Sequence, residues 1–135
     1  TASALSTLAT GVHPATHGIL GYRIWDSQRG EHVNQLNGIT ERAVAQGWLA
    51  SESLFSQLSS QGKPVTVVGH ARFAHSELTT MLYGGVPYVG ASSIDERFDV
   101  VTKSLLAGGR GLFFIYISDL DEAAHHSWCY SDLWL

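Results

Sequence analysis

The sequence predicts an α/β fold, a layered α/β/α arrangement around a mostly parallel sheet, and three observations carry that prediction. Helical and strand patterns alternate from Leu54 to Ile117, which implies right-handed crossovers between parallel strands. The run Gly111-Leu112-Phe113-Phe114-Ile115-Tyr116-Ile117 is almost wholly apolar, as expected of a central strand covered on both faces. At 135 residues with 44% hydrophobic content, the chain fits one domain and carries enough apolar side chain for a core. No internal repeat, low-complexity tract or second domain is visible.

The elements follow in order. Small, helix-compatible residues from Ala2 to Thr10, with Leu5 and Leu8 three apart, describe a short helix closed by Gly11 and Pro14, with Thr1 at its amino end. Tyr22 to Asp26 reads as a short strand, and Ser27 to Thr40, rich in Gly, Asn and Gln, as a polar excursion. Trp48 to Ser60 carries Leu49, Leu54, Phe55 and Leu58 at helical spacing and stops at Gly62 and Pro64. Val65 to Val68 is a parallel-type strand. Ser76 to Leu82 is a short helix with Glu77 near its positive end, followed by Gly84-Gly85 and an extended piece, Pro87 to Val89. Ser93 to Ala107 is the strongest helix: Ser93 caps it, Glu96 completes a capping box, and Phe98, Val101, Leu105 and Leu106 are expected to face inward. Gly108 and Gly109 end it before the apolar strand.

Charge and composition narrow the function. Eight basic residues against twelve acidic ones give a formal charge of −4, so no electrostatic footprint for nucleic acid or an anionic membrane is present. An anionic substrate must be attracted locally. No run is long enough to span a bilayer. The single Cys129 excludes an intramolecular disulfide.

Asp121-Glu122-Ala123-Ala124-His125 follows the apolar strand directly, where ligands bind in open α/β sheets. If a helix begins after Asp121, its carboxylate and the His125 imidazole share one face at i and i+4 and can converge on one metal ion, zinc being the first hypothesis. The competing reading makes Asp121 an N-cap and His125 a surface histidine. At the other end of the chain, Thr1 stands where unpaired N–H groups and a positive macrodipole can meet a phosphate oxyanion, although a threonine there is more often a simple cap.

These residues resemble the type I phosphodiesterase and nucleotide pyrophosphatase family of the alkaline phosphatase superfamily. The matching pieces are Thr10-Gly11, Pro14 to Ile19 (PATHGI) and Asp121 to His125 (DEAAH); Val65 to Ser76 also resembles a bacterial branch of the group. The resemblance spans nearly the whole chain, and three short motifs in the right order make it more specific than any one of them. It implies an alkaline-phosphatase-like catalytic domain, incomplete at residues 1–135, that lacks the strand before the nucleophile and the later metal-ligand region. It further implies that Thr1 is the nucleophile forming a phospho-threonine intermediate, that Asp121 and His125 are metal ligands, and that two divalent ions, zinc, serve the full-length protein. The substrate implied is a small phosphate ester or nucleotide. Asp119 and His126 are expected to lie off the ligand face. His17 is expected to be a structural histidine. Where nucleotide pyrophosphatases carry an Asn on the substrate phosphate, the aligned residue is Tyr22, which keeps a donor but adds an aromatic ring and puts nucleotide specificity in question. Trp25, Phe73 and Tyr83 suit either an aromatic pocket or the core, and His70 and His75 receive no role. Two rival readings stand beside this one. One is a catalytically inactive α/β fragment or decayed relative with at most weak metal binding. The other is an amino-terminal nucleophile hydrolase using the α-amine of Thr1, which leaves Asp121 and His125 without purpose.

Overall fold

The computed structural model describes residues 1–36 and 47–135. Its centre is a three-stranded parallel sheet in the order β4-β3-β5, built from β3 (Val65–His70), β4 (Tyr88–Ala91) and β5 (Leu112–Ile115). Val67 pairs with Tyr88 on one side and Phe114 on the other, so β3 holds the middle. The expected central strand, Gly111 to Ile117, is instead shorter and forms an edge of the described sheet, with Leu112 and Ile117 exposed. The truly two-sided strand is β3, where Val65, Val67 and Val68 are all buried.

Helix α1 (Ala2–Thr10) ends where expected, with Gly11 left-handed at φ 72°. Its buried residues Ala2, Ser6 and Ala9 are small, so it can lie close against α2 (Pro14–His17) and α4 (Glu77–Tyr83). Strand β1 (Arg23–Asp26) matches the predicted extended piece, but it belongs to an antiparallel hairpin with β2 (Glu31–Asn34) outside the parallel sheet. The polar stretch hid β2: the Asp26 carboxylate accepts from Gln28 and Arg29 N–H, and Gly30 takes φ 68°, which together turn the chain. Residues 37–40 of that stretch lie outside the described residues.

Helix α3 (Leu54–Ser60) is shorter than the Trp48 to Ser60 pattern. Ser53 caps it, accepting from Phe55 N–H at 3.1 Å, while Ala50 N–H is already spent on the His17 carbonyl at 3.0 Å. Trp48 and Leu49 still pack on the core, but from a loop. Helix α5 (Ile94–Leu106) carries the full capping box of Ser93 and Glu96. Its expected inward face does not hold: Phe98, Leu105 and Leu106 are 49%, 53% and 83% exposed, and the fully buried residue is Arg97. Among the described residues the parallel sheet is three strands wide and no element covers the outer stripe of this helix. Helix α6 (Asp119–Ser127) starts two residues before Asp121, capped in position by Ser118. The core under these layers joins Ala2, Ala9, Ile19, Phe55, Val67 and Leu82. Among the described residues, no helix is long and apolar enough to cross a membrane.

Candidate functional site

The site assembles beyond the carboxyl ends of β3 and β5, where α1 and α6 present their amino ends. Thr10 explains the Thr-Gly turn that closes α1: its hydroxyl donates to the Ser6 carbonyl at 2.7 Å and accepts from Val12 N–H at 3.5 Å. His17, fully buried, locks the next turn. Its Nδ1 accepts from Ile19 N–H at 3.1 Å, which leaves the proton on Nε2 to donate to Thr7 Oγ1 at 2.9 Å. Burial, with a smaller contribution from His13, lowers its pKa from the usual histidine value.

Thr1 occupies the N-cap position of α1, yet its side chain makes no capping bond. Its Oγ1 donates instead to Asp121 Oδ2 at 3.0 Å, across 120 positions of sequence. Ser118 behaves in the same way at α6: it makes no capping bond, and its hydroxyl donates to Glu122 Oε1 at 2.5 Å. Ser53, Ser76 and Ser93 all cap conventionally. The two helices that converge on the site thus keep uncapped N–H groups and turn their hydroxyls toward acidic side chains, forgoing about 1 kcal/mol of capping each.

Asp121 and His125 share a face of α6, the His125 Nδ1 lying 3.6 Å from Asp121 Oδ1 and donating to the Asp121 carbonyl at 2.6 Å. Because Nδ1 spends its proton on that carbonyl, Nε2 is the ring nitrogen whose lone pair is left for a metal beside the Asp121 carboxylate. The donor types fit a zinc ion; the number does not complete one, because among the described residues no group of three or more His, Cys, Asp or Glu converges. Asp121 is not the N-cap, which removes that reading of it. Asp119 is engaged elsewhere: Arg97 Nη1, on a fully buried side chain, donates to its Oδ2 at 2.9 Å and anchors α6 to α5.

Tyr22 lies on the same rim. A cleft of about 400 Å³ is lined by Thr1, Ser3, Tyr22, Asp121 and His125 among others. Tyr22 reaches it through Gln35, which is fully buried: Gln35 Oε1 accepts from Leu20 and Gly21 N–H at 2.9 and 3.0 Å, and its own N–H donates to the Tyr22 carbonyl at 2.8 Å. A second cleft of about 270 Å³ adjoins it, sharing Thr1 and Asp121, with Phe73, Tyr83, Tyr88 and Tyr116 in its walls. Burial raises the pKa of all three phenols, and for Tyr116 the charges of Asp121 and Glu122 add to it. Phe73 and Tyr83 line this cleft, and Tyr83 is also a buried core residue against Phe55 and Phe114, while Trp25 stands 58% exposed against the His32 ring. Neither His126 nor His75 lines these clefts; His70 caps the turn after β3 by accepting from Arg72 N–H at 3.2 Å.

Sequence reasoning missed Gln35, Arg72 and Glu122. Arg72 forms an ion pair with Glu122 and lies 4.6 Å over the Phe73 ring, and with Ser118 it holds the Glu122 carboxyl below its ordinary pKa. Its position just past the carboxyl end of β3 was the available signal.

The profile for Type I phosphodiesterase / nucleotide pyrophosphatase matches residues 1–134. Among solved structures, the murine ectonucleotide pyrophosphatase / phosphodiesterase 5, an inactive variant in complex with AMP, superposes with a TM-score of 0.66 at 17% identity over 98% of this chain. That superposition covers 35% of the murine chain, so this chain spans about a third of its length. No curated protein matches. At that identity the structural likeness shows the fold, an alkaline-phosphatase-like α/β arrangement, and the profile shows the kinship. The chain belongs to the type I phosphodiesterase / nucleotide pyrophosphatase family, a family of phosphate ester hydrolases.

Proposed function

We propose that the protein carrying this chain hydrolyses phosphate esters, at phosphodiester or nucleotide pyrophosphate bonds, with Thr1 as nucleophile. The supporting observation is the 3.0 Å hydrogen bond from the Thr1 hydroxyl to Asp121, which joins two motifs from opposite ends of the sequence at one cleft. In the reaction, Thr1 Oγ1 attacks phosphorus in line, the bond to the leaving alcohol or nucleotide breaks, and the phospho-threonine formed is then cleaved by water. Free of any capping bond, the hydroxyl has its lone pairs available to the substrate. The uncapped N–H groups at the start of α1 face developing negative charge on the phosphoryl oxygens. Tyr22, at the cleft rim, donates its phenol proton to a phosphoryl oxygen. Asp121 and His125 would hold one divalent ion, zinc, beside the Thr1 hydroxyl, and such an ion would supply charge to lower the pKa of that hydroxyl and to neutralise developing charge on oxygen.

Asp121 and His125 supply only part of a two-metal donor set, so in this reading residues 1–135 form part of a larger catalytic domain and the other ligands come from outside them. The test is hydrolysis of bis(p-nitrophenyl) phosphate by the longer protein, dependent on added zinc. Activity that survives chelation, or Thr1→Ala, overturns the proposal. The isolated 135 residues are expected to show little or no turnover, since ligand affinity and folding are coupled in a partial site. The absence of a three-donor cluster among the described residues favours a second reading, a catalytically inactive relative with weak metal binding; a longer protein that stays inert with zinc supports it.

A further inference from the structure

We propose that Arg72 is a substrate-anion clamp that selects phosphate esters carrying a second anionic group on the leaving side, and that Glu122 is its resting counter-ion. The proposal rests on the phosphoester reading of the Thr1 site and adds the residue that discriminates between charged and uncharged leaving groups. The first turn of α6 brings Asp121 and Glu122 to both clefts, two acidic groups that repel an anionic substrate. Among the described residues lining the two clefts, Arg72 is the one with a permanent positive charge. It extends from the short 3₁₀ turn Ala71–Phe73 that follows β3, and the Phe73 ring under its guanidinium keeps that plane at the lip of the cleft shared with Thr1.

The Arg72 and Glu122 side chains are 48% and 44% exposed. An ion pair so open to water is weakly held and readily exchanged. An incoming phosphate offers the guanidinium fork two oxygens at once, a stronger partner than a solvated carboxylate. Glu122 is not stranded by the exchange, because Ser118 Oγ still donates to it. The arrangement therefore has a resting state, in which the acid neutralises the arginine, and a loaded state, in which the leaving group's charge replaces it. A diphosphate leaving group satisfies the clamp, whereas an uncharged aryl group does not.

Two substrates that transfer the same thymidylyl group to Thr1 isolate the effect: thymidine 5′-triphosphate, which releases pyrophosphate, and the p-nitrophenyl ester of thymidine 5′-monophosphate. In the longer protein with zinc, Arg72→Ala is expected to lower the ratio of kcat/KM for the triphosphate over the aryl ester by about tenfold or more, and Arg72→Lys to restore part of it. Glu122→Gln, which releases the clamp but keeps a partner for Ser118, is expected to lower KM for the triphosphate. A ratio unchanged within about twofold in Arg72→Ala and Arg72→Lys overturns the proposal, because a purely structural ion pair changes melting temperature without changing substrate preference. If neither ester is turned over by the wild type, the phosphoester reading fails, and calorimetric titration with inorganic pyrophosphate in chelator decides Arg72 by itself. Binding weakened about tenfold by Arg72→Lys supports the clamp, and equal binding in the two proteins refutes it.

Discussion

At the scale of the residue, His17 shows how a motif histidine can serve the fold through its own hydrogen bonds. Its ring is fully buried and used at both nitrogens, with Nδ1 accepting and Nε2 donating, so the native state holds it neutral. Because burial lowers its pKa in the folded protein, the unfolded chain binds a proton that the folded chain refuses. The stability it confers is complete above the unfolded histidine value of about 6.5 and is lost as pH falls below it. The urea midpoint should therefore fall between pH 7 and pH 5, above the range where the depressed carboxyls of Glu96 and Glu122 titrate, and His17→Gln should flatten that fall. Parallel pH profiles for the two proteins would assign the acid sensitivity elsewhere. Gln35 is the counterpart that sequence did not disclose. Its Oε1 serves two backbone N–H groups beside Tyr22, and Gln35→Leu should cost about 1 kcal/mol by leaving these partly buried donors without that acceptor, read as a drop in the denaturant midpoint. His17 was legible because a short motif carries it, whereas Gln35 sits in a stretch whose composition only suggested a loop. Thr1, Asp121, His125 and Tyr22 were likewise nameable from motifs, but the Thr1 to Asp121 bond is tertiary, and no local pattern encodes a contact across 120 residues.

At the scale of the element, helix ends were more legible than helix faces. Ser76 and Ser93 announce starts by a local hydrogen bond that sequence can encode, and Gly11 announces a stop by its left-handed backbone, whereas the start at Ser53 was hidden by the apolar spacing that ran back to Trp48. Which stripe of α5 is buried depends on how wide the sheet beneath it is, and here the buried position went to Arg97. That arginine makes α5 a support for the site. It donates to Asp119 at 2.9 Å and to the Ser92 carbonyl at 3.3 Å, tying the first turn of α6 to the end of β4. Asp119→Ala leaves a buried guanidinium with its main partner gone. Since the Asp119 side chain is itself 45% exposed, the loss should be about 2 kcal/mol, below the range for a fully buried pair. The same change should loosen the α6 first turn and lower activity of the longer protein although Asp119 is outside the proposed ligand set. Full activity with a 2 kcal/mol loss of stability would show that α6 is held from elsewhere. Strand β2 was invisible at this scale because its Glu31-His32-Val33-Asn34 buries only one full side chain, too little for an alternating pattern to emerge from a polar stretch.

At the scale of the whole molecule, the predicted α/β layering is present, but its apolar surface is only partly enclosed. Ile94, Phe98 and Leu105 recur on one outer stripe of α5, β5 stands at an edge of the described sheet, and its Leu112 is 41% exposed. Covering a large apolar side chain contributes about 1.5–3 kcal/mol, so the stripe is a strong incentive to associate, and an open strand edge adds a template for backbone pairing. The 135-residue chain by itself should therefore self-associate in a concentration-dependent way, seen as a rising weight-average mass in sedimentation equilibrium. Phe98→Glu with Leu105→Lys should suppress that association and, because neither side chain is enclosed in the monomer, change its stability by no more than about 1 kcal/mol. In the longer protein the same pair of charges should cost several kcal/mol if further chain covers the stripe, and almost nothing if it stays open. A chain that remains monomeric up to high concentration without the substitutions would show that the outer face of α5 is tolerated in water, and the partial enclosure would then be a property of this fold.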